Sequence, residues 1–412
     1  MEKILWDVAI VGAGPAGLMA AIAAAGPGKK ILILDGKENL GAKLLISGGG
    51  RCNVTNLRVT EKDYRTGAPR TVRNILSAFP VERTLGFFKD LGVEMVLEED
   101  TKFFPKTQSA RTVLDALLRK VRGLGVTLEK GKKVSRVFFE AGNFNLIAGE
   151  TKYRSRAVIL CTGGLSYAGT GSDGSGYPLA KSFGHKVVPV TPALMPLLTG
   201  DPEWKTLSGI TLPVRLTLRA DGHEIASSGG AFLFTHQGFS GPAVLDISGS
   251  WLRCLSPQKE LLADFFSGVS EGTLCQELAR TVTEHPKWSW KRFFVKYFPE
   301  RLIEIFLKKL NTIPGAPISQ SPKKEREAVI RSLKGFMLQI TGAMGYDKAE
   351  VTAGGVDLAE IDGKTLESQL QRGLFFAGEI LDVDGRIGGF NFQWAWSSGT
   401  VAGRSAAAKL SD

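Results

Sequence analysis

The chain has 412 residues, of which 43% are hydrophobic and 23% are charged, a balance that is typical of a folded chain with two or three domains. It has four cysteines, which form no CxxC pair and have no histidine in metal-ligand spacing: Cys52, Cys161, Cys254 and Cys275. These features argue against a disulfide framework and a zinc site, and they indicate a reducing compartment. We therefore expect a cytoplasmic protein without a bound metal.

The formal net charge at pH 7 is +11, which raises the question of a nucleic-acid partner. The basic residues are spread along the chain, and a positive charge also attracts anionic cofactors and substrates. The densest basic and aromatic stretch, residues 287–298, is interpreted as an amphipathic helix with buried rings and exposed lysines. These observations favour a small-molecule substrate over nucleic acid.

The first predicted elements are a strand, a glycine-rich turn, a helix and a second strand. An apolar run over residues 8–11 precedes the turn Gly12-Ala-Gly-Pro-Ala-Gly17. An alanine-rich helical segment then reaches Ala25, and residues 31–34 form the second strand. This order is typical of a βαβ unit that binds a dinucleotide.

The glycines of this turn have separate tasks in such a unit. Gly12 permits the tight turn, Gly14 lets a pyrophosphate approach the backbone, and Gly17 lets helix and strand pack closely. The helix N-terminus then offers N–H groups and a partial positive charge to the diphosphate. Asp35, which ends the second strand, is expected to bind the adenosine ribose hydroxyls and to disfavour NADP at this site.

The uncharged run over residues 8–27 is long enough to resemble a membrane span. Glycines and a proline stand near its start, and no charged n-region precedes it. We therefore expect neither a membrane helix nor a signal peptide.

Residues 41–56 form the next informative stretch. The sequence Ser47-Gly-Gly-Gly-Arg-Cys-Asn-Val-Thr-Asn56 exposes N–H groups and short polar side chains, which suits a polar ligand better than a packed core. Together with the glycine turn, this stretch resembles the BaiN/YhiN-like NAD(P)/FAD-dependent oxidoreductases. The resemblance extends over nearly the whole chain, at residues 104–110, 162–164, 171–174, 234–242, 351–355 and 373–403.

Helices and strands alternate through the following part of the chain. Residues 70–130 are predicted to be mostly helical, with helices over 72–78, 81–91 and 112–122. Three strands are predicted after them, over 134–139, 144–147 and 157–161. The last strand is expected to return to the parallel sheet and to carry Thr162 and Gly163 past the cofactor.

An inserted module is predicted from residue 191, where a group of prolines marks a domain crossing: Pro189, Pro192, Pro196 and Pro202. Its first part alternates as strands, and its second part has helical periodicity. The predicted domains are the two parts of an FAD-binding domain, a β-rich substrate or lid module and a helical module: 1–190 with 341–412, 191–255 and 256–340.

The chain then returns to the cofactor domain. Residues 373–379 are predicted to form a buried strand that ends in Gly378 and Glu379, and a glycine-rich segment leads into a long helix over 392–409. Glu379 or Asp382 is expected to bind ribityl hydroxyls or water beside the pyrophosphate. The positive end of the helix is expected to face the flavin N1/O2 edge, where reduction deposits negative charge. An enzyme that binds only a nicotinamide cofactor needs no second glycine-rich element near its C-terminus, so the presence of this element favours FAD.

The predicted fold is therefore α/β, a Rossmann-like FAD-binding domain of the two-dinucleotide type with an inserted β-rich plus helical module. The motifs and the resemblance assign non-covalent FAD to residues from both ends of the chain: Gly12, Gly14, Pro15, Ala16, Gly17, Asp35, Lys43, Ser47, Gly48, Gly49, Arg51, Asn53, Val134, Thr162, Gly163, Gly378, Glu379, Asp382, Gly388, Gly389, Phe390 and Asn391.

Three residues are candidates for the chemistry itself. Arg51 is suited to stabilise reduced flavin or an anionic substrate, or else to form a structural salt bridge. Cys52 invites a redox role, but no second cysteine is near it in sequence, and a packed side chain explains it more simply. His236 is a candidate to face the flavin from the inserted module, and a structural hydrogen-bonded histidine is the alternative.

The predicted function is hydride transfer between flavin N5 and a small organic substrate. Only one GxGxxG is present, so NAD(P)H is expected only as a transient electron donor. The alternatives are an RNA-binding flavoprotein of the tRNA-modifying type, motivated by the charge and residues 287–298, and a flavin-binding protein without turnover. The oligomeric state is left open.

Overall fold

The computed structural model describes residues 4–409. The chain forms two compact units, which we call unit 1 (up to Ala193 and from Tyr346 onward) and unit 2 (Leu194–Gly345). The boundaries of the predicted modules stay a prediction.

The elements that precede residue 194 belong to unit 1. Their strands are β1 (Leu5–Val11), β2 (Ile31–Leu34), β3 (Thr55–Asn56), β4 (Tyr64–Arg65), β5 (Met95–Glu98), β6 (Lys102–Pro105), β7 (Thr127–Glu129), β8 (Val134–Glu140), β9 (Asn143–Ala148), β10 (Thr151–Leu160) and β11 (Val187–Ala193). Their helices are α1 (Pro15–Ala24), α2 (Ala42–Gly50), α3 (Pro69–Ala78), α4 (Val81–Asp90), α5 (Ala110–Gly123) and α6 (Gly176–Lys181).

The remaining elements complete unit 2 and then unit 1. Unit 2 contains the strands β12 (Leu197–Leu198), β13 (Thr211–Ala220), β14 (His223–Phe234), β15 (Gly238–Ser240), β16 (Lys259–Asp264), β17 (Phe336–Leu338) and β18 (Gly342–Ala343). Its helices are α7 (Pro202–Lys205), α8 (Pro242–Arg253), α9 (Glu271–Glu284), α10 (Trp290–Phe294), α11 (Glu300–Lys309) and α12 (Lys323–Lys334). Unit 1 ends with β19 (Val351–Val356), β20 (Leu374–Phe376), β21 (Asp384–Gly385) and α13 (Phe390–Ala408).

The main sheet of unit 1 has a parallel centre, in the order β7-β2-β1-β10-β20. The first half of β10 pairs antiparallel with β9, and β9 pairs antiparallel with β8. All of β2 is buried, as is the end of β1 and of β10. A parallel strand covered on both faces is a continuous apolar run, and for this reason the sequence predicted these strands correctly. The predicted parallel α/β arrangement is confirmed.

The hairpin β5-β6, which also pairs with β3, was not expected in a segment predicted to be mostly helical. Its strands are four residues long and only partly buried, so they carry no clear period-two signal. The three predicted helices of this segment are present as α3, α4 and α5.

Helices α1 and α13 join the two ends of unit 1. A Cβ atom at Gly399 would overlap the carbonyl oxygen of Ala16, and one at Gly403 would overlap that of Ala20. The two helix backbones therefore approach each other closely where α13 has glycine. This contact brings the C-terminal part of the chain against the helix that follows the glycine turn.

Unit 2 contains a seven-stranded antiparallel sheet in the order β17-β16-β13-β14-β15-β12-β18. The strands β16 and β17 lie in the part that was predicted to be helical, so that prediction is incomplete. Each is short, and each pairs with a strand distant in sequence, a contact that local periodicity does not reveal.

The predicted burial of aromatic rings in residues 287–298 is confirmed, but the predicted helix is shorter, since α10 covers only Trp290–Phe294. Trp290, Phe293, Phe294 and Phe298 all lie in the aromatic core of unit 2. No helix among residues 4–409 has the length and apolar character that a membrane crossing requires.

We predict that Gly403→Ala destabilises the protein by about 1–3 kcal/mol, because the added methyl group must push the two helices apart. The matched control is Gly86→Ala on α4, where a Cβ atom meets nothing within 4 Å. That substitution is expected to stabilise the protein by about 0.5–1 kcal/mol, since alanine favours the helix. Thermal unfolding followed by circular dichroism measures both changes. Equal melting temperatures for the two variants would contradict the close contact of α1 and α13.

Candidate functional site

Four strands of the parallel sheet end at the same edge. Val11 at the end of β1 lies beside Leu34 and Leu160, and Leu160 lies beside Phe376 in β20. The residues that follow these four strands are predicted site residues: Gly12–Gly17, Asp35, Thr162–Gly163 and Gly378–Glu379. Ligands of open parallel sheets bind beyond the carboxyl ends of the strands, so the fold places these residues where a dinucleotide is expected.

The three glycines of the turn differ in their surroundings. A Cβ atom at Gly12 would overlap the carbonyl oxygen of Cys161, and one at Gly17 would overlap that of Gly12. A Cβ atom at Gly14 would meet no atom of the protein within 4 Å. The protein therefore needs Gly12 and Gly17 for its own packing, whereas the open space at Gly14 is available to a ligand. Pro15 and Ala16 follow as the first residues of α1.

Asp35 closes the turn rather than pointing freely away from it. Its carboxylate accepts hydrogen bonds from the backbone N–H of Ala13 (2.7 Å) and of Lys37 (2.8 Å). A carboxylate has about four acceptor positions, so two remain for ribose hydroxyls. The backbone carbonyl of Asp35 accepts a hydrogen bond from the N–H of Lys132 (2.7 Å). Val134, the first residue of β8, follows Lys132 by two residues in the chain.

Lys43 and Glu379 form an ion pair between α2 and the turn after β20. Ser166 donates a hydrogen bond to Glu379 Oε1 (2.9 Å) and accepts one from Lys43 Nζ (2.8 Å). Thr352 adds its backbone N–H to the same Glu379 oxygen (2.9 Å), and its hydroxyl accepts from the N–H of Leu165 (2.7 Å). These contacts hold Glu379 in place, while about a fifth of its side chain stays exposed.

Ser166 and Thr352 were not among the predicted site residues. Thr352 lies in a stretch that carries the family resemblance, so that stretch was the available signal; nothing in the local sequence marked Ser166.

The segment that starts at Ser47 leaves the helical conformation. Gly48 and Gly49 have φ of 54° and 68°, in the left-handed region that favours glycine, and both are exposed. The Ser47 hydroxyl donates to the carbonyl of Leu44 (2.7 Å). The triple glycine therefore forms an exposed turn of backbone at the end of α2.

Arg51 is committed to contacts within unit 1. Its guanidinium donates to Glu98 (2.9 Å) and Gln108 (3.0 Å) and lies over the ring of Phe104, 4.1 Å from the centroid. This geometry matches the structural salt bridge rather than a group that awaits an anionic ligand.

Cys52 is fully buried, and burial raises the pKa of its thiol to about 12. Burial likewise raises the pKa of Cys161. A thiol with so high a pKa does not form a thiolate at neutral pH, so the packed interpretation of Cys52 is favoured over the redox one.

The polar residues after Cys52 hold the turn before α13. The side chain of Asn53, in the orientation that satisfies both of its polar atoms, donates to the Thr55 carbonyl (3.0 Å) and accepts from the N–H of Gly389 (3.3 Å). Asn56 donates to the carbonyl of Gly388 (2.9 Å). Asn391 closes the same turn through the N–H and carbonyl of Gly385. Predicted site residues from both ends of the chain therefore meet here.

Three other predicted residues of the segment between β20 and α13 form hydrogen bonds through their backbone atoms. The N–H of Asp382 donates to the carbonyl of Val356 (3.0 Å), and the carbonyl of Phe390 accepts from the hydroxyl of Tyr64 (2.8 Å). Gly378 donates its N–H to Ser398 on α13 (3.0 Å).

Between β10 and β11, three buried hydroxyl groups have no hydrogen-bond partner in the described part of the chain. They belong to Thr162, Ser172 and Tyr177. Burial and the charge of Glu379 raise the pKa of Tyr177, so it remains a neutral donor. Buried polar atoms without partners are rare in proteins, and they fit a polar ligand such as the ribityl chain or ring edge of FAD. The open space at Gly14 fits its diphosphate.

His236 lies in unit 2, in the turn between β14 and β15, and its side chain is exposed. The hydroxyl of the neighbouring Thr235 accepts a hydrogen bond from the N–H of Gly238 (3.1 Å), and this bond closes the turn. The role of His236 stays a prediction. Within the described residues, no group of three or more histidine, cysteine or acidic side chains is placed to hold a metal ion.

Comparison with known proteins matches residues 6–405 to the family described as HI0933-like protein Rossmann domain. The chain is 34% identical over 404 residues to a 3-dehydro-bile acid delta(4,6)-reductase of Clostridium scindens, covering 97% of this chain and 98% of that protein. It is 33% identical over 405 residues to a ribosomal RNA dihydrouridine synthase of Escherichia coli, covering 97% and 96%. The fold is similar to the apo Sdh1 complex of Mycobacterium smegmatis, with a TM-score of 0.51, 15% identity, and coverage of 100% of this chain and 69% of that chain.

We predict that Cys52 and Cys161 resist alkylation by iodoacetamide at pH 8 in the folded protein. With a pKa of about 12, only about one Cys52 thiol in ten thousand is ionised at that pH, and the side chain is fully buried. Cys254 is partly exposed and should react first. Mass spectrometry of tryptic peptides measures the labelling, and denatured protein, in which all four cysteines react, is the control. Labelling of native Cys52 as fast as Cys254 would restore the redox interpretation.

Proposed function

Because the chain belongs to the HI0933-like Rossmann-domain family, as its motifs predicted, we propose that this FAD-dependent oxidoreductase reduces a carbon–carbon double bond conjugated with a carbonyl group in a small organic substrate. The observation that carries the cofactor assignment is the convergence of the glycine turn, Asp35, Thr162 and Glu379 at one sheet edge. The two named relatives support the reaction type. A delta(4,6)-reductase of 3-oxo bile acids and a dihydrouridine synthase both reduce a double bond that is conjugated with a carbonyl.

The residues at the sheet edge fit the parts of FAD. The N-terminus of α1, beside the open space at Gly14, suits the diphosphate, and the carboxylate of Asp35 suits the adenosine ribose. Lys43, Glu379 and the unpaired hydroxyls suit the polar remainder of the cofactor. When bound and reduced, the flavin would supply a hydride from its N5 atom, and we propose NAD(P)H as the transient donor that reduces the oxidised cofactor again.

The chain itself contributes charge stabilisation and proton donors. Hydride addition to a conjugated double bond leaves negative charge on the substrate oxygen, and a proton must then reach the neighbouring carbon. The positive N-terminal end of α13, which follows Gly389, is the group that we propose to stabilise negative charge on the ring of the cofactor. Tyr177, which is neutral and has no hydrogen-bond partner among residues 4–409, is a candidate proton donor from unit 1, and the exposed His236 is the candidate from unit 2.

A second candidate substrate is a uridine in RNA. The net charge of +11 and the dihydrouridine synthase relatives favour it, because an RNA substrate requires attraction of phosphates in addition to the same reduction. Under this alternative the flavin site keeps its role and only the substrate differs.

We predict that the purified protein is yellow with non-covalent FAD and that Gly14→Ala weakens FAD binding at least about tenfold, or about 1.4 kcal/mol. The added methyl group meets no protein atom but occupies the space assigned to the diphosphate. The melting temperature of the FAD-free protein should therefore be unchanged. Fluorescence titration with FAD and thermal unfolding measure the two effects.

The control for this variant is Gly17→Ala, whose methyl group overlaps the Gly12 carbonyl and should lower the stability of the FAD-free protein itself. FAD affinity unchanged in Gly14→Ala would show that the diphosphate does not lie at the start of α1.

We predict that the reduced enzyme is reoxidised by a cyclic conjugated enone under anaerobic conditions, with loss of the double bond in the product. Stopped-flow absorbance near the flavin band measures the rate, and mass spectrometry measures the two added hydrogen atoms. A uridine-containing RNA oligonucleotide is the parallel substrate. Reoxidation by RNA alone would transfer the proposal to the second candidate, whereas reoxidation by neither, with reduction of the oxidised enzyme by amines, would overturn it.

A further inference from the structure

The exposed face of the antiparallel strands β8, β9 and β10 carries a set of basic and aromatic side chains. In the strand register, Arg136 and Lys152 both lie opposite Ile147, and Phe138 and Arg154 both lie opposite Asn145. Side chains opposite one another in a sheet point to the same face, so these residues form two adjacent rows. Arg136 and Lys152 are exposed, and Phe138 and Arg154 are half-buried. We call Arg136, Phe138, Lys152 and Arg154 the basic sheet face.

The ring of Phe138 is in contact with two cations. The Arg136 guanidinium lies over it, 4.8 Å from the ring centroid, and the Lys152 ammonium is 5.3 Å from the same centroid. The two cations come from different strands, so the ring and the charges are held together by the sheet rather than by one flexible segment.

The described residues form no ion pair with the cations of the basic sheet face. Two neighbouring basic residues are paired, Lys133 with Asp173 and Arg156 with Asp7. By contrast, Arg136, Lys152 and Arg154 have no carboxylate within ion-pair distance among residues 4–409. Three unpaired cations on one sheet face attract a polyanion.

We propose that the basic sheet face binds single-stranded RNA. Single strands are bound by sheet surfaces and grooves that combine cations for the phosphates with aromatic or guanidinium planes on which bases stack. The basic sheet face offers both, since the planar Arg136 guanidinium lies over the Phe138 ring and can stack against a base, and the cations have no carboxylate partner among the described residues. Acidic proteins and anionic membranes would use the charges but not the ring. This inference does not rest on the proposed function, because it concerns binding on a surface outside the sheet edge of the flavin site.

The test compares three variants of the full-length protein with bound FAD. The triple variant Arg136→Gln, Lys152→Gln, Arg154→Gln removes the charges, and Phe138→Leu removes only the aromatic ring. The matched control is Arg83→Gln, Lys89→Gln, Arg122→Gln, which removes three exposed cations from helices α4 and α5. Fluorescence anisotropy with a labelled 20-nucleotide RNA of unstructured sequence measures affinity at several salt concentrations, and flavin absorbance confirms that each variant keeps its cofactor.

The triple variant should bind RNA about a hundredfold more weakly at about 0.1 M salt, and its plot of log affinity against log salt should be flatter by about 2, since each lost phosphate contact contributes about 0.7. Phe138→Leu should weaken binding about tenfold without changing that slope. The control should bind like the wild type. Enone reduction should be unchanged in all variants, so a failure of this inference is distinguishable from a failure of the proposed function.

Two results would overturn the inference. The first is equal RNA affinity for the triple variant and the control. The second result combines two observations. The triple variant loses as much affinity for polyglutamate or anionic phospholipid vesicles as it loses for RNA, and Phe138→Leu binds RNA as tightly as the wild type. That pattern would show a general anion-binding surface.

Discussion

The close packing of α1 against α13 is the contact on which the arrangement of unit 1 depends. Gly399 and Gly403 let the two helix backbones meet, and Gly378, in the turn before α13, lies against Ala16 at the start of α1. The segment between β20 and α13 is thereby held beside the glycine turn. Helices α1 and α13 lie near opposite ends of the chain, so this long-range contact, together with the pairing of β20 with β10, brings the C-terminal contributors to the sheet edge.

The glycines of the resemblance motifs serve two different physical purposes. Some are required by the protein itself, because a side chain at Gly12, Gly17 or Gly403 would overlap a carbonyl oxygen of another segment. Others border open space, as at Gly14 and Gly49, where a side chain would meet no protein atom. Only the second kind argues for a ligand, since the missing side chain leaves room that the fold does not use.

The cationic residues also fall into two groups, those that have partners among the described residues and those that do not. Arg51 is occupied by Glu98 and Gln108, and Lys43 is occupied by Glu379 and Ser166, so these cations already have partners within the protein. The net charge of +11 is therefore not a measure of the positive charge that is available to a ligand. Unpaired cations count for binding only where the fold gathers them, as on the basic sheet face.

The sequence by itself determined the βαβ unit, the family and the class of enzyme. These features rest on local patterns: an apolar run that becomes a buried strand, glycines at a turn, and a helix that follows at once. The strands predicted over residues 8–11, 31–34 and 157–161 are β1, β2 and the end of β10, because parallel buried strands are apolar throughout. The burial of rings in residues 287–298 was also predicted, because the spacing of the aromatic residues is a local property, whereas the end of the helix at Phe294 was not predicted.

The tertiary structure alone decided which of the predicted residues have partners in the protein. Arg51 and Cys52 are adjacent in sequence, yet the first reaches the β5-β6 hairpin and the second is fully buried. Ser166 and Thr352 join Glu379 through hydrogen bonds between segments far apart in the chain, and no local pattern marks such a contact. The same reason explains the basic sheet face: its cations looked dispersed along the chain, and only the register of three strands brings them onto one surface.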